Sequence, residues 1–204
     1  MMEATDELAG LVAARICHDL ASPLGAMGNG IELLEMMDLQ GPEVELLSDS
    51  LRGALARLRV LRLAFGPAGD APVGRAQIRD LVTDMGLARQ RIDWQAGDVS
   101  RADLRMICLG LMCLQHAFPK GCDVEVGPDA GGWRLRARGT GLRIVPQTWD
   151  CLLRPGAAPS HEAALIHFTL LRAILRDAGR MAVLDGLSDG ADLRLPRAVS
   201  GHGA

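Results

Sequence analysis

The sequence predicts an α+β fold in which an antiparallel helical hairpin is followed by an α/β sandwich. Two long segments with apolar residues every three or four positions open the chain, and Gly41 and Pro42 separate them. A stretch rich in glycine and proline follows, and the rest of the chain alternates helical and strand-like patterns. We predict a hairpin domain over 1–66, a linker over 67–74, a sandwich domain over 75–199 and a flexible tail over 200–204.

The first helix is predicted over Leu8–Met37, where apolar positions recur at steps of three and four. This period places them on one buried stripe. The stripe consists of Leu8, Val12, Ile16, Leu20, Leu24, Met27, Ile31 and Leu34. At ~100° per residue, His18 lies ~200° from both Ile16 and Leu20. We therefore expect its imidazole to face away from the stripe, open to solvent or to a partner.

The second helix is predicted over Glu43–Phe65 and has a stripe of its own. Its members are Val44, Leu47, Leu51, Leu55, Leu58 and Phe65. A hairpin of ~65 residues is too small to bury its own apolar face, whereas two copies complete a four-helix bundle. The sequence therefore predicts a homodimer.

The remainder of the chain predicts helices packed on a mixed sheet. Helices are predicted over Arg75–Arg89, Ser100–Ala117 and His161–Ala178. Strands are predicted over Arg91–Gln95, Cys122–Val126, Trp133–Ala137, Arg180–Leu184 and Ala191–Leu195. Ser100 and Asp103 supply a capping box for the second of these helices.

Composition excludes several classes of protein. The chain has 204 residues, of which 49% are hydrophobic, and its net charge of −3 predicts neither a nucleic-acid binder nor a disordered tail. The longest strongly apolar run, Met106–Leu114, is far shorter than the ~20 residues of a membrane span. Met1–Gly10 is acidic rather than signal-like. We expect a cytoplasmic protein without membrane contact.

The five cysteines contain no CxxC pair, which favours reduced, buried thiols over a disulfide framework. Cys113, His116 and Cys122 fit no familiar zinc spacing, and the first two lie on a predicted core helix. We therefore expect no metal site in this chain.

The segment His18–Leu24, with the sequence HDLASPL, carries the chemistry of the first helix. Histidine is mostly neutral near pH 7 yet is a competent nucleophile, so it can accept a phosphoryl group from an aspartyl phosphate and return it. Asp19 can accept from the other ring nitrogen and fix the tautomer. Pro23 removes one backbone hydrogen bond at a cost of ~3 kcal/mol and is expected to bend the helix. A surface histidine without chemistry is the alternative, and the combined pattern favours the phosphoryl acceptor.

Residues around His18 are candidates for contact with a partner protein. The candidates on the hairpin are Leu11, Ala14, Arg15, Arg59 and Arg62. The first three lie beside His18 on the outward helix face. A turn centred near Gln40 places the two arginines of the second helix level with His18, and guanidinium groups suit phosphate and carboxylate geometry. An ordinary solvated surface is the alternative role of these arginines.

Arg134, Arg136 and Arg138 alternate along one predicted strand, so they project from the same face of the sheet. Three guanidinium groups on one exposed face fit an acidic partner protein. A solvated sheet face, in which arginine stems cover apolar surface, is the alternative.

HDLASPL resembles the phosphorylation box of two-component histidine kinases, in which the histidine precedes an acidic residue and a proline follows five places on. The longer segment ICHDLASPLGAMGNGIELLE, residues 16–35, more closely resembles the ChpT-type bacterial histidine phosphotransferases. The resemblance continues more weakly along the chain. It implies a kinase-type dimerisation hairpin followed by a degenerate ATPase-like domain. It also implies that Ser22 stands where related kinases orient a hydrolytic water.

The nucleotide site of such kinases depends on an asparagine-bearing helix, an aspartate after a strand and glycine loops. The corresponding helix segment, Leu109–Gly121, has no asparagine or acidic residue. Ala137 stands where the aspartate belongs, and residues 161–167 lack glycine, which permits close approach of backbone to phosphate. We therefore expect no ATP and no other cofactor to bind, with magnesium supplied by a partner's receiver domain.

These observations favour a homodimeric histidine phosphotransferase without kinase activity of its own. His18 would take a phosphoryl group from the receiver domain of a hybrid histidine kinase and pass it to response regulators. Two alternatives remain open. One is a histidine kinase or phosphatase fragment that binds ATP through a diverged pocket, and the other is a non-catalytic dimeric scaffold for response regulators.

Overall fold

The structure, a computed structural model, describes residues 2–39, 41–66, 71–84, 90–158 and 162–197. It divides into two compact units, of which the first is the N-terminal region up to Pro67 and the second carries the sheet. The predicted turn centre Gln40, the tail 200–204 and parts of the predicted linker and of the helix predicted over Arg75–Arg89 lie outside the described residues. No helix among the described residues is long and apolar enough to cross a membrane.

The first unit is the predicted helical hairpin, formed by α1 (Met2–Met36) and α2 (Pro42–Phe65). Pro42 lies in the first turn of α2, where a backbone N–H has no partner within the helix, so the N–H that proline lacks costs no helical hydrogen bond. Glu43 and Glu45 place negative charge at the positive end of the helix dipole. These residues explain why the second helix begins directly after Gly41.

α1 packs against α2 along one face and leaves a neighbouring face uncovered. A Cβ added at Gly28 would lie 3.5 Å from Cδ2 of Leu51, so the helices approach closely there, as a turn centred near Gln40 predicts. Four residues of the predicted buried stripe are instead between 48% and 54% exposed: Val12, Ile16, Leu20 and Met27. They are not buried within the hairpin because the α1 surface that faces α2 is the adjacent one, which carries Cys17 and Gly28.

The second unit contains a five-stranded sheet in the order β2-β4-β5-β7-β6 and a two-stranded ribbon of β1 and β3. Within the described residues, β2 and β4 are the one parallel pair of neighbouring strands in the larger sheet, and its other neighbouring pairs are antiparallel. In chain order the elements are β1 (Pro72–Val73), α3 (Arg75–Asp84), β2 (Gln90–Trp94), β3 (Val99–Ser100), α4 (Arg101–Ala117), β4 (Cys122–Asp129), β5 (Gly132–Arg138), α5 (Pro146–Leu153), a 3₁₀ turn (Ala163–Leu165), α6 (Ile166–Asp177), β6 (Val183–Leu187) and β7 (Gly190–Pro196).

The core of this unit lies between α4 and the centre of the sheet. A Cβ added at Gly110 would lie 2.9 Å from Leu195 and 3.0 Å from Leu135, so the helix backbone approaches the strands closely. Ser100 caps α4 as predicted, since its Oγ accepts a hydrogen bond from the Asp103 N–H at 3.0 Å. Alternate residues of β5 and β7 are buried on this side of the sheet. The intervening residues, among them the β5 arginines, therefore project from the opposite side.

The α+β fold class is confirmed, while some elements differ from the sequence prediction. α5 was not predicted, because its eight residues are too few to display a helical period. β6 begins at Val183 rather than at Arg180, and β7 ends at Pro196 rather than at Leu195. Gly179, with a φ of 64°, follows the end of α6. Residues 180–182 form a connection, although their alternating apolar pattern predicts a strand.

Gly190→Ala is expected to destabilise the second unit, because its Cβ would lie 1.9 Å from the carbonyl oxygen of Ala137 on the paired strand. Backbone atoms cannot move aside as a flexible side chain can, so the expected loss in the free energy of unfolding is about 2 kcal/mol or more. Gly186→Ala, on β6, meets open space and is the matched control. Urea unfolding followed by circular dichroism compares the two, and an unchanged midpoint for Gly190→Ala would contradict this pairing of β5 with β7.

Candidate functional site

His18 lies on a third side of α1, which neither packs on α2 nor carries the uncovered apolar stripe. Its side chain is 79% exposed, in agreement with the helical period. Its Nδ1 atom lies 3.3 Å from Oδ1 of Asp19. When Nδ1 carries the ring proton, this contact is a hydrogen bond to the carboxylate, and Nε2 keeps its lone pair for an incoming group.

Asp19 has a second partner, Arg15, one helical turn earlier. The Arg15 Nε donates to Oδ2 of Asp19 at 2.9 Å, so each carboxylate oxygen contacts a different side chain. The spacing of four residues is typical of ion pairs along a helix and could have revealed this bond in the sequence. Leu11, which is exposed, and Ala14, which is half-buried, lie on the same helix just before this group.

Ser22 and Pro23 follow His18 within the next turn and a half of α1, and both are exposed. Because Pro23 has no N–H, the carbonyl of Asp19 lacks the donor that an α-helix normally provides four residues on. α1 nevertheless continues through this position. The bend expected here and the role of Ser22 stay predictions.

Cys17 links this site to α2. Burial raises the pKa of its thiol, and the nearby Arg62 guanidinium offsets part of that rise. Arg62 therefore lies close to the residue that precedes His18, in keeping with the predicted pairing of the helices. Arg59 is exposed on the same helix. Contact of either arginine with a partner protein stays a prediction.

The three arginines of β5 have carboxylate partners within their own unit. The Arg134 Nε donates to both carboxylate oxygens of Asp192, at 3.0 and 2.8 Å, and hydrogen bonding to Asp192 raises the pKa of Arg134. Nη2 of Arg136 lies 3.8 Å from the same carboxylate. Nε of Arg138 lies 3.6 Å from Asp189. All three arginines project from the predicted face, yet none depends on a partner protein for a counter-charge.

Asp192 is the residue that sequence reasoning missed on this face. Its side chain is only 3% exposed, although it belongs to the side of the sheet opposite the helices. It lies directly opposite Arg136 in the register of β5 and β7, beside Arg134. That register joins strands more than fifty residues apart in sequence, so no local pattern could have indicated the ion pair. Arg134 and Arg136 therefore neutralise a buried carboxylate.

The absence of a nucleotide, expected from the segments that resemble the nucleotide site of kinases, stays a prediction. Ala137 is fully buried in β5, and its methyl group accepts no hydrogen bond. Gly139 and Gly141 follow it, the second with a φ of 77°. Residues 159–161, the last of which begins the glycine-free segment, lie outside the described part of the chain. Within that described part, no group of three or more histidine, cysteine, aspartate or glutamate side chains could hold a metal ion.

Aromatic rings pack together between α4, α5 and α6. The Trp149 and Phe168 ring centroids are 5.2 Å apart, and the His116 ring lies 5.8 Å from Phe168 and 6.5 Å from His167. His167 is buried, and this burial, together with the nearby His116, lowers its pKa to about 4. No sequence pattern marked His167, since its burial follows from the packing of three separate helices.

Residues 75–185 match the protein family described as the histidine phosphotransferase C-terminal domain, a match over more than half of the chain. The chain therefore belongs to the histidine phosphotransferase family.

The protein phosphotransferase ChpT of Brucella abortus (strain 2308) is 32% identical over 182 residues, and the match covers 82% of this chain and 85% of that protein. The expected resemblance to ChpT-type proteins is thereby confirmed. A bacterial phosphotransferase solved at 1.7 Å aligns over 88% of this chain and 90% of its own, with 25% identity and a TM-score of 0.60. The histidine kinase AdeS of Acinetobacter baumannii aligns over 86% of this chain and 94% of its own at 13% identity, with a TM-score of only 0.40.

His167 is expected to make stability fall with acid. The unfolded chain takes up a proton near the ordinary histidine pKa of about 6.5, whereas folded His167 does so only near 4. This contribution is therefore present above about pH 6.5 and is lost as the pH falls to 4, by about 3 kcal/mol. His167→Phe should flatten the dependence in that window in urea titrations at fixed protein concentration. The same slope in variant and parent would contradict the assignment.

Proposed function

We propose that this chain is a cytoplasmic histidine phosphotransferase of a two-component phosphorelay. His18 accepts a phosphoryl group from the aspartyl phosphate of a hybrid kinase's receiver domain and passes it to the aspartate of a response regulator. The observation that carries the proposal is the geometry at His18, an exposed imidazole whose Nδ1 faces Asp19 and whose Nε2 is available. Membership of the histidine phosphotransferase family supports it. The free, buried thiols support a reducing compartment.

The transfer is an in-line displacement at phosphorus. The lone pair of His18 Nε2 forms the new P–N bond, while the P–O bond to the receiver's aspartate breaks and leaves its electron pair on the departing carboxylate. The proton on Nδ1 stays in place, so the ring gains a positive charge. The Asp19 carboxylate, 3.3 Å from Nδ1, stabilises that charge as it develops. Transfer to a second aspartate reverses these steps.

The phosphoryl group comes from another protein in this proposal, and the receiver domain supplies the magnesium. Ala137 and an α4 without asparagine support the absence of ATP chemistry, because neither the adenine-binding aspartate nor the magnesium-binding asparagine has a counterpart, and Gln115 is the one amide side chain on that helix. What the hairpin contributes is position and charge. Leu11 and Ala14 offer a small apolar contact beside His18, and Arg59 and Arg62 place positive charge on the neighbouring helix.

The hairpin acts as a homodimer in this proposal, with two copies forming a four-helix bundle. The support is the α1 face that its own hairpin leaves uncovered, formed by Val12, Ile16, Leu20 and Met27. Four large apolar side chains along one helix face form a contiguous stripe, which a second copy can cover by the same packing that joins α1 to α2. His18 lies on the far side of α1 from this stripe, so dimerisation leaves it accessible.

The central experiment follows label from a phosphorylated receiver domain to the chain. Wild type is expected to take up label within seconds to minutes, and His18→Ala is expected to take up none, because its side chain has no nitrogen nucleophile. His116→Ala removes another exposed histidine, on α4, and is the matched control that should accept label as wild type does. Radioactive transfer resolved on denaturing gels measures all three. Labelling of His18→Ala, or labelling of wild type by ATP alone, would contradict the proposal.

Leu20→Glu is expected to convert the dimer to a monomer, because it places a charge in the centre of the uncovered stripe. Sedimentation velocity at matched concentrations measures the change. Leu11→Glu is the matched control: Leu11 is similarly exposed on α1 but lies on the His18 side, so this variant should remain dimeric. A dimeric Leu20→Glu, or a monomeric wild type at micromolar concentration, would exclude this interface.

A further inference from the structure

We infer that Arg15 is a positioning residue for phosphoryl transfer, which acts through Asp19 to hold His18 in the tautomer that leaves Nε2 able to attack. This inference rests on the proposed function. It assigns Arg15 a role within the acceptor group itself, in place of the docking role that its exposed position predicted. The three side chains form a relay in which Arg15 contacts Asp19 and Asp19 contacts His18.

The relay has a defined geometry. Nε of Arg15 lies 2.9 Å from Oδ2 of Asp19, the ordinary length of a charge-assisted hydrogen bond, and Oδ1 of Asp19 lies 3.3 Å from Nδ1 of His18. With Oδ2 fixed by the guanidinium, rotating Oδ1 away from the imidazole breaks the stronger of the two contacts. The guanidinium therefore determines which way the carboxylate faces.

Asp19 needs this support because it immediately follows His18 in an α-helix. Side chains at adjacent helical positions do not face each other, so Asp19 reaches Nδ1 only from a restricted set of rotamers. The Asp19 side chain is 51% exposed, so packing against neighbouring side chains restrains it only in part. A partner four residues earlier, on the same side of the helix as Asp19, selects them directly.

Pro23 increases the need for such a partner. The carbonyl of Asp19 has no proline N–H to bind, so the backbone at Asp19 has lost one of the bonds that hold a helical turn in place. The Arg15 side chain connects this weakened turn to the intact turn before it. The proline removes a backbone hydrogen bond near the acceptor, and the ion pair keeps the acceptor's orienting carboxylate in position.

The tautomer of His18 tests the inference without any transfer reaction. Long-range ¹H–¹⁵N correlation spectra of the full-length ¹⁵N-labelled protein distinguish a proton on Nδ1 from one on Nε2. The spectra are recorded at pH 8.5, well above the ordinary histidine pKa of about 6.5, and the His18 signals are assigned by their loss in His18→Ala. Arg15→Gln is expected to lower the ratio of Nδ1–H to Nε2–H by about two- to fivefold, the range open to a solvent-exposed ion pair. Arg15→Lys should restore part of that ratio, since it keeps the charge without the planar fork.

Arg52→Gln is the matched control. Arg52 forms an exposed ion pair with Asp49 on α2, so its loss removes one positive charge and one surface ion pair from the same hairpin. The His18 ratio should not change in this variant. A His18 tautomer that is the same in wild type and Arg15→Gln overturns the inference, even if Arg15→Gln accepts label slowly, because the slow step would then be contact with the partner.

Single-turnover transfer from a phosphorylated receiver domain supplies the second readout. The rate constant at saturating receiver should fall in Arg15→Gln by the same factor as the Nδ1–H population, with little change in the receiver concentration that gives half-maximal rate. A weaker half-saturation with an unchanged maximal rate overturns the inference in favour of docking. Failure of wild type to accept label from any receiver would instead refute the proposed function, and the tautomer spectra would still report the relay independently.

Discussion

The candidate site depends on how α1 divides its circumference. One side, which carries Cys17 and Gly28, packs on α2, and the adjacent side carries the uncovered stripe of Ile16 and Leu20. Only the remaining arc is free for polar chemistry, and His18 lies within it. An insertion of one residue before His18 would rotate the imidazole by ~100° relative to the preceding stripe. The packing of apolar side chains on the other sides of α1 therefore determines the direction in which the His18 imidazole points.

In the second unit, too, the burial of apolar side chains determines which way the polar ones point, here with the two-residue period of a strand instead of the helical period. Alternate residues of β5 and β7 enter the core under α4, so every intervening residue must belong to the open face. Asp192 is buried there in spite of its charge, which is tolerated because the guanidinium groups of Arg134 and Arg136 both lie close to its carboxylate. The arginines that would suit an acidic partner are needed by the sheet itself, and the surface around His18 is left as the better candidate for recognition.

Much of this architecture could be predicted from the sequence, because it follows from local periods. The helical hairpin, the cap at Ser100 and the outward direction of His18 each depend on residues within one or two turns of each other. The partners of Arg134 and the burial of His167 could not be predicted, because they arise from strand register and helix packing between distant segments. α5 could not be predicted because its eight residues are too few to display a helical period. The hydrogen bond between Arg15 and Asp19 could be predicted from the sequence only in part. Its spacing is local, yet the sequence does not show that Asp19 uses its two oxygens for different partners.

The balance of charge on the open sheet face affects how other proteins approach. Arg91 pairs with Asp123, Arg194 pairs with Asp185, and the β5 arginines have their own carboxylates, so opposite charges alternate within a few ångströms of each other. The field of such an arrangement decays rapidly with distance, so this face exerts little electrostatic steering on a diffusing partner. A protein that approaches it is recognised only at close contact, where each of these guanidinium groups is already bound to a carboxylate, and the ionic strength of the solution changes that approach little.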